Sequence, residues 1–266
     1  MAKNNNNRIF LVTVFIFAMI LLLALLMTSR GAAKYEEQKT ARNGNKKMSP
    51  IVQAYAARTE NPPTPERALE LLKAGNQRYA ASNRLPDPGV GKESRKFLAL
   101  GEWPYAVVLT ASDSRIPPEY FFDAGLGDLV VVRVMGPVAD STVIASIENA
   151  MMDGKCRLLV VMGHKESRAI RNAINAAEYP EMNESYNLDQ VTQKIIPAVL
   201  KAKKSVHTED GLKKAVTLAN TNQVIQQIQS GSSDLQRLVN SGKIKIVGAY
   251  ADIASGKVEF LTESGK

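Results

Sequence analysis

Five short runs rich in valine, isoleucine and leucine alternate with helical stretches from residue 64 onward, and this alternation restricts the fold more than any other feature. Such runs are typical of a parallel sheet that helices cover on both faces. Only a short Ser255-Gly256 turn separates the last two runs, so the final strand should be an antiparallel edge. The sequence therefore predicts an α/β fold with a mainly parallel central sheet and an antiparallel edge strand. The predicted strands are residues 105–110, 129–134, 157–162, 243–249 and 257–261.

Helices are predicted before and between these strands. Thr64-Pro65-Glu66 combines an N-cap hydroxyl, a proline at the first helical position and an acid in the first turn, which indicates a helix start. Apolar residues follow at helical spacing. Further helices are expected near residues 141–152, 166–177, 188–203 and 211–229.

The first 33 residues have the pattern of an export segment. Residues 9–27 are apolar apart from Thr13, with Lys3 and Arg8 before them and Gly31-Ala32-Ala33 after them. As a helix this run would span about 28 Å, close to the thickness of a bilayer core. We expect residues 1–33 to be a signal peptide or a membrane anchor, and the length of the run favours the anchor. The protein would then be periplasmic or extracellular.

The remaining chain divides into a tether and one domain. Residues 34–62 are polar and predict a tether, in which a short helix around residues 51–58 can form before Asn61-Pro62-Pro63 stops it. Residues 63–266 then make up the α/β domain. The net charge of +8 is spread along the chain, and no aromatic residues interleave with its densest lysine run, so no nucleic-acid partner is expected.

Two unusually polar segments leave the predicted strands at the same end of the sheet. They are residues 111–115 after the first strand and residues 163–167 after the third. Ligands of such sheets bind beyond the carboxyl ends of the strands. Taken singly, Asp113 and Arg115 could be an ion pair that caps the following helix, and His164 a hydrogen-bonded loop residue. Their shared position favours a functional site.

At these two segments the chain resembles the β-class carbonic anhydrases. That family carries Cys-x-Asp-x-Arg after its first strand and His-x-x-Cys after its third. Gly75-Asn76-Gln77-Arg78-Tyr79, residues 112–138, and the later segments 195–199 and 242–249 also resemble it. The resemblance covers roughly residues 62–263. It implies the family's fold, reversible hydration of CO2 to bicarbonate, and a homodimer or a higher oligomer.

The resemblance also implies a zinc site held by two cysteines and one histidine, with the aspartate as a further ligand or an arginine-paired base. Asp113, Arg115 and His164 match, but the two cysteine positions hold Ala111 and Ser167. A methyl group has no lone pair, and a neutral hydroxyl is a poor zinc donor beside a thiolate. We therefore expect no zinc and no other cofactor.

The cysteine and histidine outside these segments do not repair the site. Cys156 precedes the third strand and His164 follows it. At a rise of about 3.3 Å per residue, the strand between them places the thiol about 25 Å from the imidazole. His207 lies in a lysine-rich stretch, and nothing in the sequence places it near the two polar segments. With one cysteine and two histidines, the sequence excludes an intrachain disulfide and a multi-thiolate metal site.

The resulting hypothesis is an exported member of this family without ordinary carbonic anhydrase activity. Arg115, Ser167 and His164 are the predicted anion-binding residues, for bicarbonate, CO2 or a similar small oxyanion. The alternative is metal-independent CO2 hydration in which Asp113 and Arg115 are catalytic. A nucleotide-binding domain is rejected because Gly125-x-Gly127 precedes a strand instead of opening a helix.

Two structural expectations follow for this site. Asp113 and Arg115 should form a salt bridge, since they lie two positions apart on a tight turn. Anion affinity should rise as the pH falls through roughly 6.5, the ordinary pKa of a histidine, because a bound anion favours protonated His164.

Overall fold

The computed structural model describes residues 48–86, 89–181, 185–206 and 208–261. These residues belong almost entirely to one compact unit, Ser49–Lys266. The predicted export segment and residues 34–47 of the tether lie outside the described ranges, as does His207. Within those ranges, no helix is both long and apolar enough to cross a membrane.

A five-stranded sheet forms the centre of the unit, in the order β2-β1-β3-β4-β5. Strand β1 pairs in parallel with β2 and β3, and β3 pairs in parallel with β4. The last pair, β4 with β5, is antiparallel. The predicted fold class is therefore confirmed. The strands are β1 (Ala106–Ala111), β2 (Leu129–Val134), β3 (Leu158–His164), β4 (Lys245–Ala251) and β5 (Val258–Phe260).

Helices cover both faces of this sheet. In the described ranges they are α1 (Pro50–Glu60), α2 (Pro65–Ala80), α3 (Lys92–Leu98), α4 (Pro118–Phe121), α5 (Ser141–Met151), α6 (Arg168–Glu178), α7 (Tyr186–Ala202), α8 (Glu209–Gly231) and α9 (Ser233–Asn240). Side chains alternate across the central strands, as they must in a pleated sheet. Val108 and Val160 pack with α2 and α4 on one face, whereas Leu109 and Val161 pack with α5, α8 and α9 on the other.

Strand β4 begins two residues later than predicted because a helix end uses the preceding residues. The amides of Lys243 and Ile244 both donate to Leu238 O, at 3.0 and 3.4 Å, and close the C-terminus of α9. Gly242 makes the reversal with φ of +69°, a conformation that glycine adopts without strain. Helix α9 is not among the helices expected from the sequence, and it starts where Ser232 Oγ accepts from the Leu235 amide.

The tether prediction is wrong over its second half. Helix α1 lies inside the predicted tether, yet Tyr55 is fully buried and its hydroxyl donates to Leu126 O at 2.9 Å. Arg58 Nη2 forms a 2.6 Å ion pair with Asp128, in which both side chains are largely buried. These long-range contacts attach α1 to the domain, so the folded unit starts near Ser49 rather than residue 63.

The Gly-Asn-x-Arg segment in α2 has a structural role. A Cβ atom at Gly75 would lie 1.8 Å from Phe122 O, so only glycine permits this approach of α2 to the chain after α4. Asn76 Nδ2 donates to Phe121 O and Gly256 O, at 3.0 and 2.8 Å, and its Oδ1 accepts from the Val258 amide at 2.9 Å. The segment therefore ties α4 to the turn between β4 and β5.

Candidate anion-binding site

The candidate site lies at the point where the chain leaves two neighbouring strands in opposite directions. From β1 the chain passes to β2 on one side, and from β3 it passes to β4 on the other. Such a switch point opens a crevice beyond the carboxyl ends of the two strands. Ala111 is the last residue of β1 and His164 the last of β3, so both polar segments start at this crevice.

Asp113 and Arg115 form the predicted salt bridge, which is therefore confirmed. Arg115 Nε lies 2.9 Å from Asp113 Oδ1 and Arg115 Nη2 lies 2.7 Å from Oδ2, so the pair is bidentate. The Arg115 amide also donates to Oδ1 at 3.0 Å. These hydrogen bonds, chiefly those of the guanidinium, hold the pKa of Asp113 well below its ordinary value although partial burial opposes them. Asp113 is therefore a carboxylate at every physiological pH.

The backbone carbonyl of Glu166 connects this pair to the second segment. Arg115 Nη2 donates to Glu166 O at 3.2 Å. Glu166 has a φ of +59°, a left-handed conformation that a residue with a Cβ seldom adopts. The contact therefore joins the loop after β1 to the loop after β3 at a strained residue.

His164 is almost completely buried beside Asp113. Its Nδ1 lies 2.8 Å from Lys165 O, and because a carbonyl only accepts, Nδ1 carries the hydrogen. In the neutral ring, Nε2 is then an acceptor, and it lies 3.9 Å from Asp113 Oδ2. Burial lowers the pKa of His164, although the Lys165 carbonyl and Asp113 oppose that effect. The sequence-based expectation of a titration at roughly 6.5 assumed an imidazole exposed to solvent, and the burial of His164 moves the expected pKa below that value.

Arg133 is a site residue that the sequence analysis missed. Its Nε donates to Ala111 O at 3.3 Å and its Nη2 donates to Asp113 O. Arg133 is aligned with Thr110 across the β1–β2 pair, which brings its guanidinium to the turn that carries Asp113. The available signal was one charged residue within the otherwise apolar run of β2.

The two positions that correspond to the family's cysteines are both buried. Ala111 contributes a methyl group at the end of β1, and Ser167 is the N-cap residue of α6. The Ser167 hydroxyl caps no amide of that helix. Ser167 is one of the residues that line a cavity of about 270 Å³ whose walls do not include Asp113, Arg115 or His164. The structure thus brings Asp113, Arg115 and His164 together and places Ser167 at the neighbouring cavity.

Donor groups for a metal are scarce at this site. Across the described ranges, no group of three or more histidine, cysteine, aspartate or glutamate residues is arranged to hold a metal ion. Cys156 is buried two residues before β3, while His164 is the last residue of that strand. The thiol and the imidazole therefore lie at opposite ends of β3, as the sequence predicts.

Comparison with known proteins agrees with this architecture. Residues 106–258 match the family described as "Carbonic anhydrase". A carbonic anhydrase of Mycolicibacterium smegmatis is 33% identical over 203 residues, which cover 76% of this chain and 95% of that protein. Carbonic anhydrase 2 of Mycobacterium tuberculosis is 32% identical over 195 residues, covering 73% of this chain and 91% of the relative.

A solved structure has the same fold. A β-carbonic anhydrase of the filamentous ascomycete Sordaria macrospora, one of two described as tetrameric, superposes with a TM-score of 0.57 at 18% identity. The match covers 71% of this chain and 93% of that one. An α/β sheet with an Asp-x-Arg turn and a histidine at its switch point thus defines the class of protein. The chain belongs to the carbonic anhydrase family, in its β class.

Proposed function

We propose that this chain is a zinc-free member of the family that binds bicarbonate or a similar small oxyanion at Arg115. His164, once protonated, and Ser167 are the further anion-binding residues of the proposal. The observation that carries it is the donor chemistry at the two cysteine positions, where Ala111 and Ser167 supply no thiolate. The proposal concerns binding or regulation rather than ordinary CO2 hydration.

The residues present do not fit the zinc ion that the family implies. Zinc in proteins takes thiolate, imidazole and carboxylate ligands, usually four in total. His164 supplies one imidazole, and both oxygens of Asp113 already bind Arg115. Neither the methyl of Ala111 nor the neutral hydroxyl of Ser167 replaces a thiolate. We therefore derive no step of the function through zinc.

Arg115 is the group best suited to an anion. Its side chain is about half exposed, at 48%, although Nε and Nη2 are engaged. Of its three nitrogens, Nη1 takes part in none of the hydrogen bonds formed by the described residues. An oxyanion can therefore bind the exposed edge of a guanidinium whose orientation Asp113 fixes.

The alternative, metal-independent hydration, is disfavoured because Asp113 is too weak a base. A water molecule has a pKa of about 16 unless a Lewis acid lowers it. A general base should have a pKa near the working pH, and the Arg115 interaction moves the pKa of Asp113 in the opposite direction. Asp113 is therefore a weak base for this reaction.

Metal analysis and kinetics test the proposal together. Protein purified without added metal should contain far less than one zinc per chain, and bicarbonate should shift the NMR signals of Arg115. Stoichiometric, tightly bound zinc would refute the zinc-free assignment. Stopped-flow CO2 hydration in the presence of a chelator should not exceed the buffer rate. A rate above buffer that disappears in Asp113→Asn would instead support the alternative.

Export is proposed from the N-terminal sequence. The positively charged start, the apolar run at residues 9–27 and the small residues that follow support secretion or anchoring. Cell fractionation followed by N-terminal sequencing separates the two cases. An intact N-terminus in the membrane fraction indicates an anchor, a new N-terminus near residue 34 indicates a cleaved signal peptide, and cytosolic protein contradicts export.

A homodimer or higher oligomer is proposed from the family and from the edge of the sheet. Among the described residues no strand pairs with the outer edge of β2, and all of the apolar side chains of β2 are only partly buried. A second copy of the chain can pack against such an edge and bury it. Light scattering should give a multiple of the 29.0 kDa chain mass, and a monomer at micromolar concentration would contradict this assignment.

A further inference from the structure

The backbone of Glu166 has a conformation that its side chain does not favour. Its φ of +59° lies in the left-handed region, where a Cβ atom is crowded and where residues other than glycine, asparagine and aspartate are uncommon. The Glu166 side chain is exposed, so packing of that side chain does not impose the conformation. Such a conformation costs free energy and persists only where the surrounding structure holds it.

Two other non-glycine residues in the described ranges have a positive φ, and both end helices. Ser82 and Asp123 have φ values of +55° and +47°. Each follows the last turn of a helix, and its amide donates back to a carbonyl of that turn, at 3.0 and 3.2 Å. A left-handed residue is common at that position. Glu166 instead precedes a helix, because α6 starts at Arg168, so helix termination does not explain its conformation.

Two consecutive carbonyls of this turn accept hydrogen bonds from side chains of the candidate site. His164 Nδ1 donates to Lys165 O at 2.8 Å, and Arg115 Nη2 donates to Glu166 O at 3.2 Å. Lys165 is also fixed from the other side, because its amide donates to Ala251 O on β4 at 2.9 Å. Since Lys165 is held in this way, the conformation of Glu166 sets where its own carbonyl lies relative to Arg115.

The hydrogen bond to Glu166 O ties the Arg115 guanidinium to a second loop. The other hydrogen bonds of this guanidinium go to Asp113, which lies two positions away on the same turn. An ion pair within one turn moves with that turn, whereas a carbonyl on the loop after β3 fixes the guanidinium relative to the crevice. Because an arginine side chain loses rotamer freedom when it is immobilised, a guanidinium that is already fixed binds an anion at a smaller entropic cost.

We propose that the backbone of Glu166 is a positioning element of the anion site. Its left-handed conformation lowers the stability of the fold, while its carbonyl holds the Arg115 guanidinium in place for a bound oxyanion. The inference rests on the proposed anion binding, and it assigns the role to the carbonyl of Glu166 rather than to the carboxylate. Glu166 acts through Arg115 and does not itself touch the anion.

Two substitutions of Glu166 separate its backbone from its side chain. Glu166→Asn and Glu166→Val both remove the carboxylate, so the effect of its charge on anion binding is the same in each. Asparagine adopts the left-handed conformation with little strain, whereas the branched Cβ of valine disfavours it. Formate should therefore bind Glu166→Val about fivefold more weakly than Glu166→Asn, which is the loss expected for one hydrogen bond. Equal affinities in the two variants would overturn the proposal.

Thermal unfolding of the full-length protein measures the strain in the same variants. Glu166→Asn should melt about 2 °C higher than the unchanged protein, and Glu166→Val should melt lower. Ser82→Val is the matched control, because Ser82 is an exposed left-handed residue at the end of α2, outside the site. It should also lower the melting temperature, yet formate should bind it as it binds the unchanged protein. If Glu166→Val fails to fold, Glu166→Asn still decides: a melting temperature no higher than that of the unchanged protein would refute the strain.

The mobility of the Arg115 guanidinium tests the positioning without any anion. NMR measures the rotation of the guanidinium about its Nε–Cζ bond, which a hydrogen bond from Nη2 to a carbonyl slows. Rotation should be several times faster in Glu166→Val than in Glu166→Asn or Ser82→Val, and equal rates in the two Glu166 variants would refute the positioning. If the rates differ as expected but the unchanged protein binds no formate, the anion function fails while the hold of Glu166 on Arg115 stands.

Discussion

Arg115 binds both carboxylate oxygens of Asp113, at 2.9 and 2.7 Å, and the same guanidinium reaches the Glu166 carbonyl on the loop after β3. The pair therefore does two things at once. It keeps Asp113 ionised, and it fixes the distance between the two loops that form the crevice. Arg115 therefore connects the loop after β1 to the loop after β3 through its own hydrogen bonds.

The first prediction is that Arg115→Gln loses stability in a pH-dependent way. An aspartate in an unfolded chain has a pKa of about 3.9, and the pKa of Asp113 in the folded protein lies below that value. Its contribution to stability is therefore present above that value and disappears as the pH falls through the folded pKa. The difference in unfolding free energy between the unchanged protein and Arg115→Gln should be larger at pH 7 than at pH 3.

Urea unfolding at pH 7, 5 and 3 measures this difference. Arg67→Gln is the matched control, because Arg67 pairs with Glu70 on the exposed surface of α2 and should matter little. A difference for Arg115→Gln that stays constant from pH 7 to pH 3 would show that the salt bridge does not carry the effect.

The second prediction concerns the contact between α2 and the chain after α4. Gly75→Ala places a Cβ atom 1.8 Å from a backbone oxygen, so one of these segments must move. We expect a loss of about 3 kcal/mol in the free energy of unfolding. Gly91→Ala is the control, because a Cβ atom there meets nothing within 4 Å, and it should cost less than about 1 kcal/mol. Equal stability of both variants would contradict the close approach.

Part of the fold and of the candidate site could be predicted from the sequence. The strands and the two polar segments were predictable because each depends on a short, local run: apolar residues mark the strands, and Asp113 and His164 follow them directly. The site's location then follows from where parallel strands end.

Features that depend on distant partners could not be predicted in this way. Helix α1 was predicted to be part of a tether because its partners lie far away along the chain. Tyr55 and Arg58 bind Leu126 and Asp128, which are about 70 positions away. Arg133 reads as a strand residue until its alignment with Thr110 places it beside Asp113. The lowered pKa of His164 comes from burial, which depends on the packing of the whole domain.

The third prediction is that the single cysteine is unreactive in the native protein. Cys156 is fully buried, and burial raises the pKa of its thiol to about 12. A disulfide reagent at pH 8 attacks thiolates, so native Cys156 should react far more slowly than a free thiol with a pKa of about 8.5. In denaturant, one thiol per chain should react at once. Rapid reaction of the folded protein would contradict the placement of Cys156.

The last prediction is that anion binding depends on pH through His164, at a lower pH than an exposed histidine would give. The Nδ1 hydrogen is held by Lys165 O, so neutral His164 presents only a lone pair at Nε2. An anion gains a donor there when Nε2 is protonated, so affinity must rise as the pH falls through the pKa of His164. Because burial lowers that pKa, affinity should be nearly flat from pH 8.5 to 7 and should rise only below about 6.5. Formate, which stays ionised throughout this range, is the probe to titrate beside bicarbonate at fixed free anion concentration. His164→Gln keeps a polar side chain without a charge and should give flat affinity throughout. A rise centred above pH 6.5, or the same rise in His164→Gln, would show that another group controls the binding.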